Sequence, residues 1–407
     1  MWNPELGDGR AIILGEIFSP SGQRFDFQLK GAGDTPYSGM GDGRAPLGAI
    51  LREYIVSEAM AALSIPTTRS LAVVSTGERV ARQKLLPSGI LTRLSKCLIR
   101  IGTFEYCSRL ESPSKLKALA DYTIQRLYPH LIKSHNPYIE LLQETIEQQA
   151  RLIAKWQAIG FVHGVMNTDN ILLSGETVDY GPCAFLDDYQ PNAVFSSIDK
   201  HGRYAYNNQP LIAQWNLSCL ASSLLPLLDQ KKLSALVIAE EYVNAFDEIY
   251  NKYYALEMAK KIGFTIANDD SSKLIEDLLK TMQEQKLDYT RTFRTLSYSL
   301  NTDTPKLCEN HEPTPLTKWI QHWREKLWQN NITMTTALNT MQAVNPIYIP
   351  RNHLLDEALA AMTLGNLQPC HELIDCLSSP FEHHRQHSKY ALPPNNKNKV
   401  VKTFCGT

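Results

Sequence analysis

Three side chains that could bind a divalent cation or accept a proton lie close together in the middle of the chain. Asp169 and Asn170 are adjacent, and Asp179 begins the string Asp-Tyr-Gly-Pro shortly after them. The apolar residues 171–173 and the turn residues 174–175 predict two short strands that bring both sites side by side. Carboxylate and amide oxygens suit Mg²⁺, which takes its remaining ligands from phosphate and water. The stretch therefore predicts a magnesium site that handles phosphate groups.

The same stretch has the layout of the catalytic and metal loops of protein kinases, with one difference. In the kinase motif His-Arg-Asp-x-x-x-x-Asn, the Asp is the catalytic base. Asn170 stands at the required spacing from His163, but Val165 occupies the position of the base. The nearest carboxylate is Asp169. The motif alone predicts a pseudokinase, whereas a base role for Asp169 predicts that the chemistry survives on an altered geometry.

The string Gly-Asp-Gly-Arg-Ala occurs twice, at 7–11 and at 41–45, on either side of Lys30. Glycines in a turn before a strand let backbone N–H groups approach a phosphate, and Arg10 adds a fixed positive charge. One copy alone is more often an ordinary β-turn. The recurrence of the string around Lys30 favours two loops that hold one polyphosphate.

Lys30 ends a predicted strand, and Glu53 lies on the helix predicted next along the chain. An isolated lysine on a strand is usually solvated, but a strand Lys paired with a Glu of the following helix is how kinases hold nucleotide phosphates. Arg93 and Arg100 follow in apolar surroundings, where an unpaired charge is costly. Two interpretations stay open for these arginines: structural ion pairs, or contacts to phosphate.

Apolar periodicity predicts the elements that position these residues. Strands are predicted over the ranges 12–17, 24–30 and 70–94, the last with a turn at 76–78. A helix is predicted over 46–63, because Pro46 suits a first turn and apolar residues follow at helical spacing. Further helices are predicted over 121–128, 139–159, 215–228, 233–262, 271–285, 317–330 and 354–362. The helix over 139–159 ends at Gly160 and delivers the chain to His163.

Length and charge narrow the class of protein. The chain has 407 residues, enough for two domains or for a two-lobed enzyme with an appendage. Its 41 basic residues balance 42 acidic residues, so no overall field attracts nucleic acid or an anionic membrane. We find no apolar run of about 18 residues and no signal-peptide pattern. The expectation is a cytoplasmic enzyme with no nucleic-acid and no membrane partner.

The eight cysteines are scattered and include no Cys-x-x-Cys pair of the kind that binds zinc or does redox chemistry. Most of them are expected to be small buried residues. Cys405, which follows a polar tail over 393–402, is the exception. Its thiol could enter disulfide exchange or be a bystander, and the sequence does not decide between the two.

In combination these strings resemble the selenoprotein O family of protein-kinase-like AMP transferases, over nearly the whole chain. The resemblance rests on seven stretches, among them His-Gly-Val-Met-Asn-Thr-Asp-Asn and Gln-Leu-Lys-Gly-Ala-Gly. The seven stretches are 3–11, 28–33, 41–45, 52–54, 163–170, 179–182 and 345–346.

The resemblance implies an α+β fold of the protein-kinase-like two-lobed type, with an additional, mostly helical C-terminal region. The expected N-lobe covers 1–95 and contains the nucleotide-binding strands and the Glu53 helix. The expected C-lobe covers 96–240 and contains the catalytic and metal loops. A helical extension with a flexible tail is expected over 241–407.

The resemblance also implies an activity. The family looks like a kinase that binds ATP reversed, so that AMP passes from ATP to Ser, Thr or Tyr hydroxyls of proteins and pyrophosphate leaves. The implied cofactors are ATP, as substrate, and Mg²⁺, with Mn²⁺ as an alternative ion. Two rival hypotheses are an inactive pseudokinase scaffold that binds nucleotide, which Val165 favours, and an ordinary phosphotransferase. The sequence indicates neither the acceptor proteins nor the oligomeric state.

Carried onto matching positions, the resemblance gives roles to the residues already singled out. Asp169 is the expected general base, and Asn170 and Asp179 are the expected metal ligands. The residues expected to contact ATP, or to hold a residue that does, are Gly7, Gly9, Arg10, Lys30, Asp42, Gly43, Glu53, Arg93, Arg100 and Asp179. A base at Asp169 accounts for Val165, because a moved reacting phosphate requires a moved base.

The chain departs from the family pattern at both ends. Because the sequence starts at Met1-Trp2-Asn3-Pro4, comparison with the family pattern leads us to expect that its usual N-terminal segment before the first glycine motif is missing and that the first glycine loop is less supported. The family's selenocysteine position falls on Cys405, so any redox role would belong to a thiol. In some relatives a C-terminal Cys bridges to one after the metal loop. Here Phe195 stands in that region and Cys183 lies nearer the metal loop, which disfavours such a bridge.

Overall fold

The structure, a computed structural model, describes residues 9–110, 112–300 and 314–404. Within those ranges, antiparallel strands are followed by a mostly helical region. The strands are β1 (Ala11–Phe18), β2 (Arg24–Lys30), β3 (Ala45–Pro46), β4 (Arg69–Ala81), β5 (Leu85–Ser95), β6 (Phe161–Val162) and β7 (Ala184–Phe185). The helices are α1 (Leu47–Ala62), α2 (Ile101–Arg109), α3 (Pro113–Leu127), α4 (Pro137–Ile159), α5 (Gln209–Leu228), α6 (Lys232–Asn244), α7 (Phe246–Lys261), α8 (Asp269–Glu284), α9 (Tyr289–Ser299), α10 (Pro315–Gln329), α11 (Met334–Val344), α12 (Asn352–Thr363) and α13 (Gln368–Ser378). The predicted mixture of strands and helices is confirmed.

Five strands form one antiparallel sheet in the order β1-β2-β5-β3, with β4 also paired to β5. The strand predicted over 24–30 is confirmed as β2. Burial alternates along it, and Asp26, Gln28 and Lys30 are its buried residues. The polar face of β2 therefore points into the protein, where each polar group needs a partner.

The β4–β5 hairpin differs from the prediction. The turn predicted at 76–78 is wrong, because β4 runs through it and the chain reverses at 82–84. Strand pairing shifts register between Ser75 and Arg79, and Gly77 has a φ of 74°. The segment is a bulge, which carries the glycine signal of a turn without reversing the chain.

α4 is the helix predicted before the catalytic loop. Gly160, in the left-handed conformation with a φ of 76°, ends it as predicted. β6 follows at once and pairs with β7, with Phe161 opposite Phe185 and Val162 opposite Ala184. This pairing closes the segment 163–183, which contains both loops predicted to do chemistry.

The region after α4 is more divided than the sequence predicts. The helix predicted over 233–262 is wrong as one element: α6 and α7 are separated at Ala245. Apolar periodicity continues across the break because each helix turns a face to the core. Asp247 and Glu248 lie in the first turn of α7, where negative charge favours a helix start. The helices α2, α9, α11 and α13 have no counterpart among the predicted ones.

Two large apolar clusters, beside two small ones, pack the described elements together. The largest cluster contains residues of the helices α1 through α6 and of α12 and α13. The other large cluster contains residues of the helices α8 through α11 and of the ends of α4 and α7. By length and composition alone, one helical stretch of the described residues, Tyr206–Leu228, could cross a membrane, and half of it is buried in the protein. Its α5 portion packs against α2, α4 and α6 as a core helix. The domain boundaries at 95/96 and 240/241 stay predictions.

Candidate active site

Four charged side chains from different elements meet at one point. Lys30 at the end of β2 forms an ion pair with Glu53 of α1, with 2.6 Å between Nζ and Oε2, and a second one with Asp179. Arg93 of β5 is paired with Glu53 and, at 2.7 Å between Nη2 and Oδ1, with Asp179. The structure thus brings Lys30 and Glu53 together, as the sequence predicts.

The register between β2 and β5 explains why these groups meet. Gln28 lies opposite Arg93, and Lys30 lies opposite Leu91. Arg93 donates from Nη1 to Gln28 Oε1 at 3.0 Å, while its Nη2 serves the carboxylates. One neutral and two charged acceptors therefore fix the plane of this buried guanidinium.

The positive charges control the titration of both carboxyl groups. Burial alone would raise the pKa of Glu53, but Arg93 and Lys30 hold it below its usual range. Burial opposes ionisation of Asp179 as well, yet Lys30, Arg93 and Arg100 place the pKa of Asp179 well below its usual range. Both groups are ionised at neutral pH, and Asp179 is available there as an anionic metal ligand.

The backbone that carries Asp179 is strained. Its φ of 62° lies in the left-handed region, which a residue with a side chain rarely adopts and which costs roughly 1–3 kcal/mol. The segment before it folds back as predicted, because Ile171 and Thr177 form an antiparallel bridge. Gly175 turns the chain with a φ of 70°. The predicted pair of strands is present, reduced to this single bridge.

His163 fixes the start of the predicted catalytic loop. Its imidazole is fully buried against Trp156 and Phe161. Burial lowers the pKa of His163, so the ring is neutral near pH 7. Nε2 lies 2.9 Å from the carbonyl oxygen of Val178 and donates to it. The imidazole thereby joins the catalytic loop to the residue before Asp179.

Val165 contributes its backbone where a kinase has its base. The Val165 carbonyl accepts a hydrogen bond from Asn170 Nδ2 at 3.0 Å. The Asn170 N–H donates to the carbonyl of Asn167, also at 3.0 Å. These bonds orient the Asn170 amide, whose Oδ1 is the atom suited to a cation. Asp169 lies in the same short turn.

A cavity of about 640 Å³ opens beside this cluster. Its size is that of a small-molecule site. Among the predicted residues, those that line it are Gly9, Arg10, Arg100, Asp169, Asn170 and Asp179. The polar lining residues that sequence reasoning missed are Gln28, Asp34, Thr35, Tyr37 and Thr103. Only Gln28 had a signal in the sequence, since it shares a strand face with Lys30.

Arg93 and Arg100, for which structural ion pairing and phosphate binding were both open, lie in different surroundings. Arg93 is buried in ion pairs with protein carboxylates. Arg100 lines the cavity at the start of α2, and its backbone bridges to Leu172 near the metal loop. Arg10 lines the cavity too, and its carbonyl accepts a hydrogen bond from Gly31, the residue after Lys30.

The first glycine loop is packed against a second loop at the cavity. A Cβ at Gly9 would lie 3.1 Å from the Tyr37 carbonyl oxygen, so the two backbones are in close contact. The Ser38 hydroxyl donates to the Gly9 carbonyl. Gly7, also predicted to contact ATP, lies outside the described residues.

The second glycine motif supports that loop from behind. Gly43 has a φ of 62°, and a Cβ there would lie 1.9 Å from the Gly33 carbonyl oxygen. Asp42 is bound by Arg82, with guanidinium-to-carboxylate distances of 2.9 and 3.0 Å, and these hydrogen bonds lower the pKa of Asp42 to about 2. Neither Gly43 nor Asp42 is part of the described cavity lining. Their contact with ATP stays a prediction.

The donor set suits a hard divalent cation that is shared with phosphate. Asn170 and Asp179 line the same cavity and offer one amide and one ionised carboxylate. Within the described ranges, no group of three or more His, Cys, Asp or Glu side chains could hold a metal ion by itself. A site with two protein ligands leaves the other positions to phosphate and water, which is the pattern of Mg²⁺.

Comparison with known proteins points in the same direction. Residues 1–378 match the family model described as "Protein adenylyltransferase SelO". The chain is 50% identical over 403 residues to "Protein nucleotidyltransferase YdiU" of Bacillus mycoides (strain KBAB4), an alignment that covers 99% of this chain and 82% of that protein. It is 51% identical over 404 residues to the protein of the same name from Bacillus cereus (strain AH820), again covering 99% and 82%.

Proposed function

Because the chain belongs to the protein adenylyltransferase SelO family, we propose that the cavity beside the Lys30–Glu53 pair binds the ATP from which it transfers AMP. Membership makes the chain a nucleotidyltransferase that uses ATP and modifies proteins. The observation that carries the proposal is the cluster of Lys30, Glu53, Arg93 and Asp179 at the edge of a cavity that Asp169 also lines.

Four cations would receive the phosphates. Arg10 and Arg100 line the cavity, and Lys30 and Arg93 stand behind Asp179 at its edge. Hydrogen-bond donors fixed before the reaction stabilise charge that develops on phosphate oxygens and on the departing pyrophosphate. Gln28 and Glu53 hold the guanidinium of Arg93, so this residue has little freedom to lose when ATP binds.

Asp169 is the proposed general base. Its carboxylate would accept the proton of the acceptor hydroxyl as the hydroxyl oxygen bonds to the α-phosphorus and the bond to pyrophosphate breaks. Asp169 neighbours the ligand Asn170, so the proton acceptor and the metal site lie on the same turn. Val165 leaves no carboxylate at the position where kinases have their base. This is consistent with a reaction at the α-phosphate, which in a reversed ATP takes the place of the γ-phosphate of ordinary kinases.

Asn170 and Asp179 would hold the divalent cation, for which we propose Mg²⁺ with Mn²⁺ as the alternative. When bound, the ion neutralises phosphate charge and raises the electrophilicity of phosphorus. Asp179 is kept ionised by its neighbours, and Asn170 is oriented by the Val165 carbonyl.

The finer fold and setting are also proposals. We propose that the sheet and α1 form the N-lobe of a kinase-like fold over 1–95, followed by a C-lobe over 96–240 and a helical extension over 241–407. The acceptors proposed are Ser, Thr and Tyr hydroxyls of proteins, and the location proposed is the cytoplasm, where ATP is supplied. Mass spectrometry of modified proteins and cell fractionation test these two points.

Incubation with a protein mixture and ATP labelled with ³²P at either the α or the γ position tests the reaction. We expect protein labelling from the α position only. Asp169→Asn keeps the shape of the side chain without the base, and it should lower the rate by about 10²–10⁴-fold. Labelling from the γ position alone would refute AMP transfer. ATP-induced thermal stabilisation without any labelling would instead support the scaffold hypothesis.

A further inference from the structure

A second cavity, of about 230 Å³, lies among the ends of α4, α7 and α11. Most of its lining is apolar, including Ile65, Ile159 and Val344. Four charged residues of α4 and α7 interrupt this lining, namely Lys155, Glu257, Lys260 and Lys261. None of them belongs to the proposed adenylyltransferase site, so an inference about this cavity stands apart from the proposed function.

Lys261, the last residue of α7, is the unusual member of this set. It is only 3% exposed. Its ammonium lies 4.3 Å from the ring centroid of Phe293 and 5.4 Å from that of Tyr289. Within the part of the chain that the structure describes, Nζ has neither a hydrogen bond nor an ion pair. Aromatic faces compensate an ammonium only in part, and a buried charge without an anion is costly.

None of the neighbouring charges of the described residues forms an ion pair with Lys261. Glu257 is engaged by Lys260, with 3.1 Å between Oε1 and Nζ. Lys155 donates to the carbonyl of Ser64 at 2.8 Å and brings a further positive charge. Apart from the paired Glu257 and Lys260, the charged residues that line this mostly apolar cavity are Lys261 and Lys155.

We propose that this cavity binds a small carboxylate that carries an apolar group, with the carboxylate at Lys261 and Lys155 and the apolar group against Ile65, Ile159 and Val344. A bound monoanion would supply the negatively charged partner that the Lys261 ammonium does not have among the described residues. Inorganic phosphate fits poorly, because the apolar walls leave several of its oxygens without donors. The volume suffices for benzoate, since an apolar cavity of roughly 150 Å³ holds benzene.

Binding should depend on the protonation of Lys261. Burial lowers the pKa of Lys261 to about 7, against the opposing charge of Glu257. A bound carboxylate stabilises the ammonium form, so affinity is highest below that pKa and falls as the pH rises above it. The other charged groups near Lys261 are Lys155 of α4, Lys260 of α7 and Arg294 of α9, which bonds the Asn345 and Phe381 carbonyls.

Isothermal titration calorimetry of the full chain with benzoate, at constant ionic strength, tests the proposal. From a pKa of about 7, the protonated fraction of Lys261 falls about 25-fold between about pH 6.5 and about pH 8.5. We expect benzoate to bind about 25-fold more weakly at the higher pH. At the lower pH, the neutral isostere benzamide should bind about tenfold more weakly or not at all, and inorganic phosphate should give no saturable heat.

Lys261→Met keeps the volume of the side chain and should abolish benzoate binding. Lys252→Met is the matched control, because Lys252 is an exposed lysine of the same helix and its loss changes the net charge equally. Thermal unfolding checks that both variants are folded, and the pH series on the unmodified chain decides the matter if Lys261→Met does not fold. Equal affinity in Lys261→Met, equal binding of benzamide, or affinity independent of pH would overturn the proposal.

Discussion

Lys30 and Arg93 bring two positive charges to the proposed active site, and Glu53 and Asp179 bring two negative ones. The cluster is therefore neutral before ATP arrives, and each charge has a partner in a poorly hydrated place. We expect ATP and the metal ion to replace existing ion-pair partners in a cluster that is already formed. Phosphate oxygens would compete with Asp179 for Lys30, and the Asp179 carboxylate would bind the metal ion instead. Glu53 keeps both cations in place during that exchange.

Glu53→Gln tests this anchoring role. Removal of one buried charge leaves Lys30 and Arg93 to share Asp179, and we expect a loss of about 3 kcal/mol in the free energy of unfolding, measured with urea. AMP transfer by the folded variant should fall as well. Glu78→Gln, which breaks the exposed pair with Arg44, should cost about 0.5 kcal/mol or less. Equal losses in the two variants would show that the cluster contributes no more than a surface pair.

The pKa shifts of Glu53 and Asp179 add a dependence on pH. Both pKa values are lowered in the folded protein, so the unfolded chain binds more protons in acid and stability rises with pH there. We expect this contribution to be fully present above the ordinary values of 4.5 and 3.8 and to disappear as the pH falls below them. Urea unfolding of the wild type and of an E53Q/D179N double variant should give curves that converge toward acid pH. A constant gap would contradict the pairing.

At the scale of elements, the pairing of β2 with β5 decides which polar groups share a face. Gln28 and Arg93 are partners in the register, and a slip of β5 by one residue would turn Arg93 away from both Gln28 and Glu53. The loop over 33–38 is held differently, by close backbone packing on Gly9 and Gly43. The site is thus built on a fixed sheet and closed by a loop whose position depends on glycine.

Gly43→Ala tests that dependence. The added Cβ would meet the Gly33 carbonyl oxygen at 1.9 Å, so the loop that leads to Asp34 must shift. We expect ATP affinity, measured by calorimetry, to fall about tenfold or more, because a displacement of about 1 Å is costly at such a site. Gly39→Ala has a similar φ of 59° but nothing within 4 Å, and it should change the affinity little. Equal effects would assign the loss to backbone strain alone.

The elements that could be predicted are those with a local signal. Alternation gave β2 its bounds, and the glycine and apolar patterns gave α4 its end at Gly160. The bulge at 76–78 has the sequence signal of a turn, because a glycine with a positive φ, here Gly77, is typical of turns and of bulges alike. The break at Ala245 leaves no gap in the apolar pattern.

The site divides in the same way. Lys30 and Glu53 were predicted as a pair because a strand and its following helix are neighbours in sequence as well as in space. Asp34 and Tyr37 reach the cavity on a loop and Thr103 reaches it from the first turn of α2, and nothing in their own neighbourhood in the sequence marks them. Asp42 carried a motif signal, yet in the structure its carboxylate is engaged by Arg82.

At the scale of the whole molecule, residues of the proposed helical extension contact the segment that follows Asp179. Arg52 of α1 donates to the Cys183 carbonyl at 2.7 Å and to Asn352 of α12 at 3.3 Å. In the tail, the Thr403 hydroxyl donates to the Pro182 carbonyl at 2.5 Å. These contacts lie on the segment that joins Asp179 to β7, and among the described residues none beyond Asp179 lines the cavity.

Arg351 is the charged centre of this attachment. It precedes α12 and is fully buried, and its Nη1 lies 2.6 Å from Asp187 and 2.8 Å from Asp288. Asp187 follows β7, and Asp288 caps α9. One guanidinium therefore ties the end of the metal-loop segment to two helices of the extension.

Arg351→Met should leave Asp187 and Asp288 buried without their cation, at a cost of about 3–5 kcal/mol in the free energy of unfolding by urea. Arg69→Met removes an exposed pair with Glu58 and should cost about 1 kcal/mol or less. Because Arg351 does not line the cavity, the folded fraction of the variant should bind ATP with unchanged affinity. A small loss of stability would mean that apolar packing alone fastens the extension. A large loss of ATP affinity in folded protein would mean that the attachment also sets the geometry of the metal loop.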